Sequence, residues 1–550
     1  MACTERSGTT ATCSCARTPT ATRSSRWATS STRICATSGP RTDASRCSRS
    51  GTPRDASRPR ARTTPAVTTT TASSTRSSSS DGRAGWPRCG GGCRTCGRSP
   101  TRWGTRSSSE PSCHSCKRSL QAGRTCPAHA GDKTVLDLDL VTDHTDDVAK
   151  RLATKGADPA QVYSARDSVL RRRKLGAQLD EARSTMNRQS KEMGKLVAAK
   201  DPSVDVRRAE LAELKRRIAD LETDFREAEQ ASSALLLRLP NLPHPEAPVG
   251  DDESANVVLR HGGPAAVAAT ELRPHWDVAA DLGIFDAERA AKLSGSGFSV
   301  LRGDGARLLR ALVSWGLDLN RDRYEELVVP HMVREQIMVG TGHLPKFADD
   351  AYSTTLDSMW LVPTGEVPLT ALHRDEILDP ADLPRRYMTY TSCFRREAGS
   401  AGKDTRGMQR LHEFHKVELV RLCMPENVEQ EFYELLADAE RTVTELGLPY
   451  RVVDLCTGDL TFSSARIFDL EVYAPAIDRW LEVSSVGSFT DFQARRSGIR
   501  VRAESGGTRP VCLLNGSAVA TPRLWAAIVE HGQQPDGRVH VPEVLRPYLG

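Results

Sequence analysis

The densest group of chemically active side chains lies between residues 394 and 418, in a string rich in arginine, glutamate and glycine. Arg395 and Arg410 can each bind a phosphate through paired hydrogen bonds, and Phe414 can stack on a purine base. Strand-like segments stand on both sides of a polar, Gly-rich loop, which predicts a long antiparallel hairpin. Arginine and glutamate that merely pair across strands would explain single residues of the string, but not the whole of it.

A second group is the string Glu482-Val-Ser-Ser485. Alternation along a strand predicts that Glu482 and Ser484 point to the same face. A carboxylate beside a hydroxyl suits a hard cation such as Mg²⁺ that bridges phosphate oxygens. Acidic residues are common on strands, so this string alone is poor evidence for a metal site.

A third group combines Asn515-Gly-Ser517 with Arg523, just before a helical pattern over residues 525–531. Small residues let the backbone approach a ligand closely, and an arginine where a strand meets a helix can reach a phosphate tail. Phosphate binding is the chemistry that all three groups share.

Two long helices with matching apolar seams precede these groups, beginning at Asp167. Apolar residues recur at spacings of three and four, which is typical of a coiled coil. The first seam is Leu175, Leu179, Ala182, Met186, Met193 and Leu196, and the second is Leu211, Leu214, Ile218, Leu221, Phe225 and Ala228. A stop at residues 201–205 predicts an antiparallel pair, and about 32 residues per helix give a reach of roughly 50 Å.

The outer faces of these two helices are basic. They carry Arg171, Arg172, Arg173, Lys174, Arg183, Arg188, Lys191, Lys195, Arg207, Arg208, Lys215, Arg216 and Arg217. A solvated surface with ion pairs along each helix explains any one of these residues. A rigid basic rod that projects from an acidic body is also well shaped to follow a phosphate backbone.

Composition divides the chain at about residue 130. Residues 1–130 hold 21 Arg and one Lys against five acidic residues, a net charge of +17, with one Leu and no Phe or Tyr. Such a segment cannot bury enough apolar surface to fold. The remaining 420 residues carry a net charge of −11 and four of the 15 cysteines.

We therefore expect residues 1–133 to be a disordered extension, or the product of a wrong reading frame with the true start near Val135. The pairs Cys93/Cys96 and Cys113/Cys116 have the spacing of a zinc ribbon. Chance spacing in a Cys-rich segment is the alternative, and a ribbon also needs apolar strand residues that this segment lacks.

Several protein classes are excluded by the sequence. No window approaches the run of about 18 apolar residues that a membrane-spanning helix needs, and the N-terminus lacks the apolar stretch of a secretory signal. Four scattered cysteines do not form a disulfide framework, so we expect a reducing cytoplasm.

The three groups belong to longer strings that resemble the signature motifs of seryl-tRNA synthetases, a class II aminoacyl-tRNA synthetase family. The resemblance covers about Val135 to Gly550. It includes Gly340-Thr-Gly-His-Leu-Pro-Lys-Phe, Pro363-Thr-Gly-Glu-Val-Pro-Leu-Thr, Asp491-Phe-Gln-Ala-Arg-Arg and Val541-Pro-Glu-Val-Leu-Arg-Pro-Tyr. Several such strings in order are far more specific than any single motif.

The resemblance implies an α+β fold, with an antiparallel sheet flanked by helices and preceded by a long antiparallel coiled-coil arm. Residues 134–245 would form the tRNA-binding arm and residues 246–550 the catalytic domain. The implied activity is ATP-dependent formation of seryl-adenylate and transfer of the seryl group to the 3′ adenosine of tRNA(Ser), and the resemblance also allows tRNA(Sec). The alternative is a divergent paralogue, either an inhibitor-resistant second copy or an enzyme that loads an acceptor other than tRNA.

The resemblance also assigns roles to residues. Serine binding would fall to Thr364, Gly365, Glu366, Arg395, Glu418, Asn515 and Ser517. ATP binding would fall to Arg395, Arg396, Glu397, Arg410, Leu411, Phe414, Glu482, Val483, Ser484, Ser485 and Arg523. Glu482 and Ser485 would hold Mg²⁺, and Arg395, Glu482 and Arg523 would act in catalysis. Pro330 resembles the motif that forms a homodimer interface.

Three strings depart from the usual family pattern. Gly365 stands where alanine is common, Val486-Gly-Ser488 replaces Cys-Ser-Asn, and residues 518–522 end in Pro522 just before Arg523. Because proline fixes φ and lacks an N–H, we expect it to shift Arg523. These departures predict an active enzyme of reduced efficiency.

Overall fold

The computed structural model describes residues 136–266, 271–398 and 406–550. The predicted extension, its cysteine pairs and the proposed start at Val135 lie outside these ranges. In the described part of the chain, helices come first and a large sheet follows.

The helices are α1 (Leu138–Asp143), α2 (Thr145–Ala153), α3 (Pro159–Ala199), α4 (Val204–Leu236), α5 (His275–Asp281), α6 (Ala287–Ser294), α7 (Asp304–Asn320), α8 (Glu335–Gly340), α9 (Glu366–Thr370), α10 (Val428–Glu445), α11 (Phe492–Ser497) and α12 (Thr521–His531). The strands are β1 (Val257–Gly262), β2 (Glu325–Leu327), β3 (Met332–Arg334), β4 (Met359–Leu361), β5 (Ile377–Leu378), β6 (Arg385–Phe394), β7 (Glu413–Cys423), β8 (Tyr450–Asp454), β9 (Arg466–Ala474), β10 (Arg479–Thr490), β11 (Arg500–Arg502), β12 (Thr508–Pro510) and β13 (Cys512–Ala520).

Helices α3 and α4 form the predicted arm, with their seam residues turned toward each other. Gly176 lets the helices approach closely, because a β-carbon there would stand 3.2 Å from the Phe225 ring. Across the arm, Arg183 donates to Glu222 at 2.7 Å. The first helix starts eight residues earlier than Asp167, because the Asp158 carboxylate caps it by accepting from the Ala160 N–H at 2.9 Å.

A small helical base joins the arm to the sheet. Its core consists of Leu136, Val141, Val148, Leu152, Val162, Val169, Leu236 and Leu239, and it also includes Phe492 of α11. The partly buried Phe462 packs against the same cluster. The base therefore shares its core with two segments of the C-terminal part.

The sheet has eight strands in the order β1-β8-β9-β10-β13-β7-β6-β2. Every neighbouring pair is antiparallel except β2 and β6. The predicted hairpin is β6–β7, paired without a break from Arg385–Leu422 to Phe394–Glu413. Helices α7, α10 and α12 pack on the sheet through residues such as Leu312, Phe432 and Trp525, all buried. The predicted fold class is confirmed.

A bulge interrupts β10 beside the predicted metal residues. Glu482 pairs with Glu471, whereas Ser484, two residues on, pairs with Leu470. Because one residue is extra, Glu482 and Ser484 point to opposite faces. The prediction that they share a face is wrong.

No helix in the described ranges is long and apolar enough to cross a membrane.

Candidate active site

One cavity of about 370 Å³ opens over the central strands of the sheet. Thirteen of the predicted site residues line it. They are Thr364, Glu366, Arg395, Glu397, Arg410, Leu411, Phe414, Glu418, Glu482, Ser485, Asn515, Ser517 and Arg523. These residues come from six separate segments, and the sheet and its crossing loops bring them together.

At one end of the cavity, which we call the carboxylate end, Glu366 and Glu418 lie almost fully buried. The Thr364 hydroxyl donates to Glu418 at 2.8 Å. The Lys416 ammonium forms an ion pair with the same carboxylate. Burial raises the pKa of both glutamates, and Lys416 opposes that rise.

Gln493 orients the Glu366 carboxylate. Its Nε2 donates to Glu366 Oε1 at 2.7 Å and to the Thr341 carbonyl at 3.2 Å. The glutamine is fully buried, so its side chain has no alternative partner in water. One carboxylate oxygen of Glu366 is thus bonded by Gln493, and the backbone of Glu366 forms the start of α9.

Strand β13 closes the carboxylate end from the side with Asn515 and Ser517. Ser517 pairs in register with Glu418 on β7, so their side chains share a face. Gly365 packs against side chains of β6 and β7 and does not line the cavity. A β-carbon at Gly365 would stand 2.8 Å from Thr389 Cγ2 and 3.1 Å from Glu418 Cβ, which explains why this chain has glycine there.

In the middle of the cavity, the side chain of Arg395 lies over the aromatic ring of Phe414. The Arg395 guanidinium lies 5.1 Å from the Phe414 ring centre, and its Nε donates to the Pro363 carbonyl at 3.3 Å. Arg410 Nη1 donates to Glu397 at 2.8 Å. Arg396 is exposed and, unlike its neighbours, does not line the cavity.

At the other end, which we call the cation end, Ser485 links two carboxylates. Its hydroxyl lies 2.6 Å from Asp469 Oδ1 and 3.2 Å from Glu482 Oε1. Arg523 Nη1 donates to the Glu482 carbonyl at 2.5 Å and to its carboxylate at 3.2 Å. Burial and the nearby Glu482 raise the pKa of Asp469. Burial would raise the pKa of Glu482 too, but Arg523 and Arg395 hold it below its usual value.

Two predicted residues of β10 have side chains that face away from the cavity. Ser484 Oγ donates to the Ser517 carbonyl at 2.7 Å, and Val483 is buried in the sheet core. The bulge after Glu482 turns them away and places Ser485 beside Glu482 instead. Neither Val483 nor Ser484 lines the cavity.

Pro522 leaves Arg523 in the cavity. The proline lies in the first turn of α12, where a backbone N–H has no partner within the helix. Arg523 lines the cavity and contacts Glu482 with proline at this position.

The cation end has the ligands that Mg²⁺ prefers, since Glu482, Asp469 and Ser485 offer hard oxygen donors. In the described ranges no group of three or more His, Cys, Asp or Glu side chains is arranged to hold a metal ion. Because Mg²⁺ prefers six ligands, a Mg²⁺ ion bound by these three oxygens would need further oxygen ligands, such as those of phosphate or water.

Among the side chains that the sequence did not predict are Lys416, which lines the cavity, and Asp469 and Gln493, which bond the lining residues Ser485 and Glu366. Lys416 had a signal, because it alternates with Phe414 and Glu418 along one strand. Asp469 faces Ser485 only through the register of β9 with β10, which the sequence does not reveal. Gln493 lies in a string that resembles the family, but its contact with Glu366 spans 127 positions of sequence.

Comparisons with known proteins identify the family. The Seryl-tRNA synthetase N-terminal domain matches residues 135–243, and the tRNA synthetase class II core domain (G, H, P, S and T) matches residues 350–532. A serine–tRNA ligase of Thermomicrobium roseum is 46% identical over 420 residues, which are 76% of this chain and 94% of that protein. The chain belongs to the seryl-tRNA synthetase family.

Solved structures of this family agree. The seryl-tRNA synthetase of Pyrococcus horikoshii, solved with ATP, is 35% identical with a TM-score of 0.72 and covers 76% of this chain and 98% of its own. The cytoplasmic serine–tRNA ligase of Naegleria fowleri, solved with AMP, is 27% identical with a TM-score of 0.67 and covers 76% and 97%. The predicted membership is confirmed, and none of these proteins supports a paralogue that loads another acceptor.

Proposed function

We propose that this chain is a serine–tRNA ligase whose cavity binds serine at the carboxylate end and ATP from Phe414 to the cation end. The observation that carries this proposal is the gathering of thirteen residues from six segments in one cavity. The wide identity to serine–tRNA ligases supports the same reaction.

Serine recognition follows from the buried carboxylates. The Glu366 carboxylate and the Thr364 hydroxyl accept hydrogen bonds from the serine ammonium. Glu418 and Ser517 read the serine hydroxyl, with Asn515 beside them. Alanine would leave these buried polar groups unpaired, which is a cost in binding that rejects it.

ATP binding follows from the arginines and the ring. Phe414 stacks on the adenine, Glu397 accepts from its amino group, and Arg410 orients the triphosphate. Arg395 bridges the serine carboxylate and the α-phosphate, and Arg523 takes the γ-phosphate. Backbone groups of Val483 and Ser484, and Arg396 from the rim, complete the ATP contacts.

The reaction has two steps. A serine carboxylate oxygen attacks the α-phosphorus of ATP and pyrophosphate leaves; the 3′ adenosine hydroxyl of tRNA then attacks the seryl carbonyl and AMP leaves. Arg395 and Arg523 stabilise the charge that develops on the phosphates, so the enzyme works by positioning and electrostatics. Glu482 and Ser485, with Asp469, would hold Mg²⁺, which neutralises phosphate charge when bound.

The arm would bind tRNA(Ser), with tRNA(Sec) as a further acceptor. Support comes from charge, because α3 carries nine Arg and Lys against four acidic residues, whereas α4 carries six against eight. Arg172 is buried, and the other eight basic residues still make the surface of α3 the more basic of the two. A phosphate backbone would lie along α3.

A homodimer would form around Pro330. Strand β2 lies at one edge of the sheet, and the neighbouring Val328 is 96% exposed. An apolar side chain at an open edge suits contact with a second copy. Light scattering of the wild type and of Val328→Asp tests this, and a monomeric wild type would contradict it.

A cytoplasmic location is proposed as well. The four cysteines in the described ranges are free thiols, which suits a reducing compartment.

Serine-dependent ATP–pyrophosphate exchange tests the adenylation step. We expect exchange with serine, much weaker exchange with threonine and almost none with alanine. Equal exchange with alanine would overturn the assigned serine pocket.

A further inference from the structure

We propose that Lys155, a residue of the helical base, is a positioning residue for the carboxylate end of the cavity. This role deepens the proposed function and rests on it in so far as serine is the ligand at that end. Lys155 follows α2 and lies outside the cavity. It acts on residues 461–464, which we call the wall loop.

Lys155 bonds the wall loop directly. Its ammonium donates to the carbonyl oxygens of Thr461 at 2.9 Å, Ser464 at 2.8 Å and Asn241 at 3.1 Å. An ammonium has three N–H donors, so each of them has an acceptor. Burial lowers the pKa of Lys155 to about 7, whereas hydrogen bonds to the three carbonyl oxygens favour its charged form.

Asn241 bonds the rest of the same loop. Its backbone N–H donates to the Phe462 carbonyl at 2.9 Å, and its Nδ2 donates to the Ser463 carbonyl at 2.9 Å. All four consecutive carbonyls of the wall loop therefore accept a hydrogen bond from Lys155 or Asn241. Backbone carbonyls held in this way fix the path of the loop more firmly than side-chain packing alone.

The wall loop touches the carboxylate end. Thr461 and Ser463 line the cavity. Gly342 lies so close to the loop that a β-carbon there would stand 3.1 Å from Ser463 Cβ. The preceding Thr341 accepts from Gln493 through its carbonyl, and Gln493 holds Glu366.

The apolar core of the base reaches the same two segments. Phe462 of the wall loop and Phe492 of α11 lie with their ring centres 6.0 Å apart. Phe492 is fully buried in the core of the base, and Gln493 is its neighbour in α11. The base thus contacts both the wall loop and the helix that orients Glu366, and Lys155 and Asn241 supply the hydrogen bonds to the wall loop.

The test compares Lys155→Met with Lys155→Arg in the full chain. Methionine keeps the length of the side chain and removes the donors, whereas arginine keeps donors that can reach the carbonyls. Lys150→Met is the matched control, because Lys150 is an exposed lysine of α2. Serine-dependent ATP–pyrophosphate exchange without tRNA gives KM for serine, KM for ATP and kcat.

We expect Lys155→Met to raise KM for serine by about tenfold or more, with KM for ATP changed much less, since small misplacement of binding groups is costly. Lys155→Arg recovers most of the loss, and Lys150→Met matches the wild type. A merely structural lysine would lower the thermal midpoint and leave the two KM values in proportion. That result, or a wild-type KM for serine in Lys155→Met, overturns the proposal.

Hydrogen–deuterium exchange separates this proposal from the proposed function. In Lys155→Met we expect faster exchange in the wall loop and around Thr341, with the arm unchanged. This readout needs no activity, so it stands even if the wild type failed to use serine. Unchanged exchange rates in the wall loop contradict the positioning role whatever the substrate.

Discussion

Arg523 and Glu482 form a direct contact at the cation end of the cavity, where one guanidinium nitrogen donates to both the carbonyl and the carboxylate of the same glutamate. The contact crosses from the first turn of α12 to β10. It holds the arginine beside Ser485 and Glu482 at the cation end and keeps the pKa of Glu482 low. A cation and a triphosphate would both meet a preformed, charged surface there.

Removing this arginine should impair adenylation. We expect Arg523→Ala to lower kcat of pyrophosphate exchange by about 10²- to 10³-fold, because a preorganised charge next to the phosphates is lost. KM for serine should change little, since the carboxylate end is intact. Arg538→Ala is the control, because Arg538 is exposed and pairs with Asp536; if both variants lose activity equally, Arg523 has no special role.

Serine binding should weaken in acid. Glu366 has a raised pKa because it is buried, so it takes up a proton at a higher pH than an ordinary glutamate and then no longer attracts an ammonium. We expect KM for serine to rise as the pH falls toward the raised pKa of Glu366, while KM for ATP rises less. In Glu366→Gln, KM for serine should be high and nearly flat with pH, and a steep profile in that variant would contradict the assignment.

The raised pKa of Glu366 has the opposite effect on folding stability, which it favours at low pH. A raised folded-state pKa means that the protonated form of Glu366 favours the folded state, so this contribution is present below the usual glutamate pKa and is lost as the pH rises through the folded value.

Alanine at position 365 should destabilise the fold because of the side chains that surround Gly365. We expect Gly365→Ala to cost about 1–3 kcal/mol of unfolding free energy, because its β-carbon overlaps Thr389. Adding Thr389→Ser removes the overlapping methyl and keeps the hydroxyl that donates to the Leu327 carbonyl, so the double variant should recover stability.

Gly194→Ala is the matched control for this prediction. Gly194 lies in α3 with nothing near its added β-carbon, so alanine should stabilise the helix by about 0.5–1 kcal/mol. Thermal or denaturant unfolding gives the stability of the wild type, Gly365→Ala, the double variant with Thr389→Ser, and Gly194→Ala. A Gly365→Ala variant as stable as the wild type contradicts the overlap.

Substitutions in the arm should affect tRNA binding and leave serine activation unchanged. We expect the pair Arg188→Glu and Lys195→Glu, both exposed on α3, to raise KM for tRNA at least about tenfold, because phosphate contacts are replaced by repulsion. The matched pair Lys215→Glu and Arg217→Glu on α4 should have a smaller effect. Pyrophosphate exchange with serine should be unchanged in both, and equal effects of the two pairs would show that α3 is not the tRNA-facing helix.

Local patterns predicted the parts of the fold that depend on local periodicity. The seams of α3 and α4 and the hairpin β6–β7 follow from residue spacing, and the structure confirms them. The start of α3 was missed because the Asp158 cap lies upstream of the first seam residue. Glu482 and Ser484 were misplaced because a bulge adds one residue and reverses the alternation.

Long-range relationships account for the rest of the site. Gln493 and Glu366, Asp469 and Ser485, and Lys155 with the wall loop all join segments far apart in sequence. Their contacts depend on strand register and on how the base packs against the sheet. Neither composition nor spacing encodes that information in a single sequence.

Aminoacylation tests the central claim most directly. Full-length protein is incubated with ATP, Mg²⁺, labelled serine and tRNA(Ser), and ester-linked label on the tRNA is measured. We predict serine-dependent charging that is lost when the outer arm, residues 184–221, is replaced by a short turn, while pyrophosphate exchange persists. Charging that survives loss of the arm would contradict tRNA binding by the arm, and no charging by a wild type that forms seryl-adenylate would contradict the ligase itself.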